Sequence, residues 1–241
     1  MFFQTKGIVF HATKYSDNSL IVKIYTETFG LQSYLIRSAR SKKSKMKIGV
    51  FQPLSLLDIT VSHDKKPGLQ FIKEITLSYP FTDIPFNIKK SSIAIFLTEV
   101  LSKSIKEEEQ NTDLFHFLYN AIIDLDNCKN NVSEFHLFFL LALSKYLGFY
   151  PQNNYDDSNK LFSLYDGRFI NVQPEHPYYL DMKMSKCFHQ FISIAITNTD
   201  MLFFSSAIKK EILNKLIDYY TIHIHGFNKL KSLSVLEEVF Q

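Results

Sequence analysis

In the strand-like segments of the first eighty residues apolar side chains recur at every second position; beyond Tyr79-Pro80 they recur at every third and fourth. Period two lines one face of a strand and period 3.6 one face of a helix, so the change fixes an order of elements: sheet first, helices second. Phe2–Phe10, Leu20–Thr26 and Leu31–Ile36 read as strands, with turns at Tyr15–Ser19 and at Thr28-Phe29-Gly30. Leu57, Ile59 and Val61 alternate with Asp58 and Thr60 as a fourth strand, and Asp64–Gly68 is a turn. In the fifth, Leu69, Phe71, Ile75 and Leu77 mark the apolar face. Ile72-Lys73 breaks the alternation, as a bulge does, or a strand covered on both faces. Five short strands suit an OB-type barrel, and SH3-like barrels share that count. The expected class is α+β: a five-stranded OB-type domain over residues 1–80, then an all-α domain over 81–241.

Helical spacing begins near Ile88 and continues through Ile93, Phe96, Leu97, Val100, Leu101 and Ile105; Leu114 to Leu125 forms a second amphipathic segment. Phe135–Leu147 is apolar almost all round and reads as a buried central helix, with Ser133 as N-cap and Gly148 just past its end. Asp166-Gly167 between apolar runs predicts a hairpin insertion near 161–172. Helices resume near Lys186–Ile196 and Ser205–His225, and Phe227–Leu233 reads as a tail.

The segment after the third strand is the most charged in the chain. Arg37, Arg40, Lys42, Lys43, Lys45 and Lys47 fall within eleven residues, spaced mainly by Ser and Ala and free of any acid. Burying so much unpaired charge is too costly, so the segment is a solvated loop of polyanion-binding character. Through Pro80 there are twelve Lys and Arg against five Asp and Glu, a balance of +7; the remainder has fifteen against nineteen, −4. The polyanionic partner is therefore expected on the N-terminal part. Tyr34 is carried as a base-stacking candidate beside the six cations; Tyr25 and Phe29 are weighed with it, core or rim packing being the competing role for all three.

Catalytic signatures are not found: no nucleophile elbow, no phosphate-cradling glycine loop, no metal-ligand pair. His223 and His225 are two apart and do not share a helix face, and His116 and His136 sit inside apolar patterns. Cys128 and Cys187 have no ligand-spaced neighbours, so no zinc, no disulfide framework and a reducing, cytoplasmic setting are expected. The longest apolar run, Leu137–Leu143, is far short of the roughly 20 residues that span a bilayer.

Several stretches together resemble the bacterial RecO family of DNA repair and recombination mediators. They are Thr5-Lys6-Gly7-Ile8-Val9 with Tyr15–Val22, Tyr25–Leu31 around Gly30, and Arg37–Lys45 followed by Phe51-Gln52-Pro53-Leu54. Leu147–Pro151 and Lys229–Leu233 complete the set, which spans nearly the whole chain. The resemblance implies an N-terminal OB domain, a helical C-terminal domain, and binding of single- and double-stranded DNA near the nucleoid. It also implies annealing of complementary strands, and partnership with RecR and with the acidic C-terminal tail of the single-stranded DNA-binding protein. Lys209, Lys210 and Lys215, on the last long helix, are the expected rim charges of a partner groove there. Many members carry a four-cysteine zinc motif where this chain has Pro151–Pro177, which contains no Cys. The competing readings are a helical scaffold whose basic loop meets an acidic protein or anionic lipid, and an enzyme with an unmarked site.

Overall fold

The structure is a computed structural model that describes residues 2–37, 48–62, 68–197 and 204–240. The cations Arg40, Lys42, Lys43, Lys45 and Lys47 lie outside the described residues, as does the 64–67 part of the expected turn. Two compact units make up the chain, residues 1–128 with 230–239 and residues 129–229 with 240–241. The change from strand to helix near residue 80 therefore does not divide the units: two helices and a C-terminal one belong with the strands.

In the first unit β1 (Phe2–Lys14), β2 (Leu20–Thr26), β3 (Gly30–Ile36), β4 (Leu56–Ser62) and β5 (Gln70–Tyr79) close into a barrel in the order β1-β2-β3-β5-β4. β1 is long enough to serve two neighbours: its first half pairs with β4 and the remainder with β2. A register shift between Val9 and His11 leaves Phe10 as the extra residue where the strand bends. Closure comes from a short parallel pairing, Tyr34 to Gln70 and Leu35 to Phe71. Val22, Ile24, Tyr34, Ile36, Leu57, Ile59 and Val61 fill the interior. Gly30 turns β2 into β3 at φ 62°, and a Cβ there would strike the backbone of Glu107 and Glu109, so only glycine fits.

Among the described residues three α-helices join the strands in this unit: α1 (Ile88–Ser104), α2 (Thr112–Asn127) and, from the far end of the chain, α6 (Ser232–Val239). Asn87 and Asn111 cap the first two through side-chain oxygens. The expected tail is irregular through Lys231, and α6 takes over from Ser232. At its first turn the Glu99 carboxylate on α1 accepts from Lys231 N at 3.0 Å, Ser232 N at 2.8 Å and Ser232 Oγ at 2.7 Å. Burial pushes the Glu99 pKa up, but these donors and Lys103 outweigh it and hold it at about 2.

The second unit packs α3 (Phe135–Tyr146), α4 (Met182–Thr197) and α5 (Ser206–His223) with a small sheet of β6 (Leu161–Ser163), β7 (Arg168–Ile170) and β8 (Tyr179–Leu180). α3 is largely buried, and Gly148 at φ 85° ends it: its N–H reaches Lys145 O and the next N–H reaches Ser144 O. Ser133 is not the cap; Val132–Glu134 forms a short 3-10 turn that runs into the helix with Glu134 at the cap position. Buried hydroxyls tie α5 inward, Tyr220 to Leu140 O at 2.6 Å and Tyr219 to Phe149 O at 2.8 Å. Among the described residues no helix is long and apolar enough to cross a membrane.

Candidate nucleic-acid interface

β3 delivers the chain to Arg37, exposed at the root of the basic segment. The Arg37 guanidinium lies over the Phe71 ring, 5.2 Å from its centroid. Phe71 faces outward, against the alternation expected of β5, because of the bulge. Thr60 pairs with Glu74 and Val61 with Ile72, which leaves Lys73 as the extra residue. Ile72 and Ile75 both point into the barrel across that extra residue, and Gln70 and Ile72 are buried where Phe71 is not. The inward face of β5 thus changes phase at Lys73, and the apolar pattern of the sequence misassigns Phe71.

Register then places a second ring beside the first. Phe2 opposes Ser62 across β1 and β4, and Ser62 opposes Phe71 across β4 and β5, so the two phenylalanines stand on one outer face two strands apart. Lys73 Nζ lies 5.0 Å from the Phe2 centroid. With these cations in place Phe2 is still 58% exposed and Phe71 45% exposed. Single exposed apolar side chains are ordinary at a protein surface, so the corner is marked by two rings and two cations meeting on one face, each cation–ring contact contributing about 0.5–1 kcal/mol at an exposed site. Two rings and two cations thus frame the point where the basic segment leaves the barrel.

The expectation for Tyr34 is corrected by burial. Its ring is 0% exposed in the barrel interior, and burial pushes its phenol well above the usual range. Tyr25 is equally enclosed, stacked on Phe10 with centroids 5.7 Å apart, and Phe29 packs edge-on against Phe3. β3 alternates strictly and Tyr34 falls on its inward phase, so it cannot reach a base. Phe2, Phe71 and Lys73 were not singled out from sequence as site residues; the only signal was the break at Ile72-Lys73.

The lysines of α5 are less free than a docking rim needs. Lys209 forms a close ion pair with Glu134, which is itself buried, and ties α5 to the turn before α3. Lys210 is exposed. Lys215 pairs with Asp218 at 3.5 Å and lines a hollow of about 500 Å³ together with Glu175, Asp181 and Glu211. Carboxylates outnumber cations in that hollow, which disfavours an acidic peptide there.

The segment Pro151–Lys160 does not fit a metal. Asn154 is spent on the backbone of Phe169, donating to its carbonyl at 3.0 Å and accepting from its N–H at 2.8 Å, so it extends the sheet as a strand would. Asp156 accepts from the N–H groups of Ser158 and Asn159, and Tyr155 stacks on His189. The segment is held by side-chain hydrogen bonds as well as by packing, and amides already engaged do not suit zinc, which takes thiolate, imidazole or carboxylate donors. Among the described residues no group of three or more His, Cys, Asp and Glu side chains is placed to hold a metal ion. His223 bonds the Leu164 carbonyl and stacks on Phe149. Burial lowers the pKa of His136 to about 4, which makes it a neutral core side chain.

Comparison with known proteins gives one consistent result. The family model described as recombination protein O N terminal matches residues 1–81, and recombination protein O C terminal matches residues 85–234. The DNA repair protein RecO of Flavobacterium psychrophilum is 41% identical, with 98% of each chain covered. That of Bacteroides fragilis is 38% identical over 98% of each chain, and that of Azobacteroides pseudotrichonymphae is 35% identical over the full length of both.

Proposed function

The chain belongs to the RecO family, and from that premise we propose that it is a non-enzymatic DNA-binding mediator of recombination in DNA repair. It binds single- and double-stranded DNA, anneals complementary strands, and helps load recombinase onto DNA coated with the single-stranded DNA-binding protein. The observation that carries this reading is the closed five-stranded barrel in OB order, with Arg37, the first of six cations close together in sequence, beside two exposed rings. Lys and Arg on a solvated loop neutralise phosphates without reading bases, which is the selectivity that annealing of any sequence needs. Two strands repel through their phosphates, and a protein that neutralises both lowers the cost of their meeting.

Partners follow from the same reading: RecR, and the acidic C-terminal tail of the single-stranded DNA-binding protein. Docking of the tail on the second unit would use the exposed face of α5 that carries Lys210. The test is annealing of two complementary oligonucleotides, bare and coated with the single-stranded DNA-binding protein. The expected result is faster annealing in both cases, falling as salt rises. No acceleration at any salt concentration would overturn the reading.

A further inference from the structure

We infer that Phe2 and Phe71 are stacking platforms for unpaired nucleobases, with Arg37 and Lys73 holding the phosphates that flank them, so that this corner of the barrel selects single strands over duplex. The inference rests on the DNA-binding reading above and specifies where and how that binding discriminates. Three independent features meet there. Two large rings are exposed on one face, brought together only by the register Phe2–Ser62–Phe71. A bulge at Lys73 aims a cation at the first ring, and the root of the basic segment puts another over the second. Bulges of this kind commonly re-aim a side chain beside a functional site.

A nucleotide of a single strand offers what the corner lacks on both counts: an aromatic face for the ring and a phosphate for the cation. Neighbouring strands lie about 4.8 Å apart, so the two rings are separated by roughly 10 Å. Such a gap is filled by bases splayed along an extended strand rather than by one stacked pair. A duplex buries its base faces within the stack and presents only phosphates and groove edges, so it gains from the cations but not from the rings. The chemistry therefore divides: cations serve both forms of DNA, rings serve the unpaired form.

The chain contains no Trp, which makes the test clean. In full-length Phe71→Trp the new indole is the only one, and its fluorescence is expected to be quenched saturably by a single-stranded oligonucleotide but little by a duplex of equal length. In full-length Phe2→Ala/Phe71→Ala, single-strand affinity is expected to fall about fivefold per ring, roughly 25-fold for the pair, taking the low end for partly exposed rings. Duplex affinity and the salt slope should hold, because the cations remain, and Phe2→Tyr/Phe71→Tyr should restore single-strand binding. Far-UV circular dichroism controls for folding, and the tyrosine pair keeps the test informative if the alanine pair unfolds. Equal losses for single strand and duplex, or unchanged single-strand affinity with no quenching, would overturn the stacking role while leaving DNA binding intact. If the unaltered protein binds neither form of DNA, the DNA reading and this inference fall together.

Discussion

Replacing all six cations of the segment, Arg37, Arg40, Lys42, Lys43, Lys45 and Lys47, together by Ala is expected to lower affinity for single-stranded DNA about 100-fold near 0.15 M salt, and to flatten its salt dependence. Six cations on one short segment cannot all reach phosphates at once, so three or four contacts are expected. Each phosphate neutralised on a single strand contributes about −0.7 to the slope of log K against log salt, so the segment accounts for roughly −2 to −3. Taking that term to vanish near 1 M salt gives about two decades of affinity at 0.15 M. The loss should be nearly independent of sequence, because flexible Lys acts as a point charge. Folding should be unaffected, since exposed surface changes usually move stability by within about 0.5 kcal/mol. Binding titrations at several salt concentrations read both quantities, with circular dichroism as control. An unchanged slope in a folded variant would reduce the segment to a solvated linker.

Asp126→Ala is expected to destabilise the first unit by about 2–3 kcal/mol, a sizeable part of a typical domain's stability. The carboxylate is 2% exposed and gathers the chain as it leaves the barrel. It accepts from Thr82 N at 2.9 Å, Asp83 N at 3.0 Å and Ile84 N at 2.8 Å, and from the hydroxyls of Thr82 and Tyr79. Beside it Lys90, 1% exposed, donates to the Asp126 carbonyl at 2.6 Å and pairs with Asp83 at 2.7 Å. Removing the carboxylate strands the buried Ile84 N–H, which costs more than its bond contributes, and returns the more exposed Thr82 and Asp83 donors to water. Burial pushes the Asp126 pKa up, but the converging N–H groups outweigh it and hold it below the usual carboxylate value. Its contribution is therefore complete above the unfolded-state carboxyl pKa and lost as pH falls through the depressed folded one. Urea unfolding at neutral and acidic pH checks both points: the gap between the two proteins should narrow in acid. A neutral-pH loss under about 1 kcal/mol would show that the knot is dispensable.

The local patterns that predicted the elements also show where prediction stops. Leu20–Thr26 emerged with its expected bounds as β2, and the alternation of Leu57, Ile59 and Val61 as β4, because in both cases one buried face alone sets the period. β5 was legible as a strand but not in its facing, since one extra residue at Lys73 reverses which side is core. α6 was missed because its N-terminus is capped by Glu99, more than a hundred residues away in sequence, and no local pattern carries such a cap. Tyr34 and Phe71 are both aromatic in strand contexts, yet closure of the barrel buries the first and exposes the second. The basic segment needed only composition to be seen. The corner beside it needed the register of three strands, because its members come from positions 2, 37, 71 and 73.

The claim that DNA engages the barrel through this corner and the basic segment is tested most directly by photo-cross-linking. The full chain would be irradiated on a single strand carrying photoreactive bases, and the linked peptides identified by mass spectrometry. Cross-links are expected in the peptides that contain Phe2, residues 37–47 and residues 70–73, and they should fade as salt rises. Cross-links confined to residues 129–229, with none in the barrel, would contradict it.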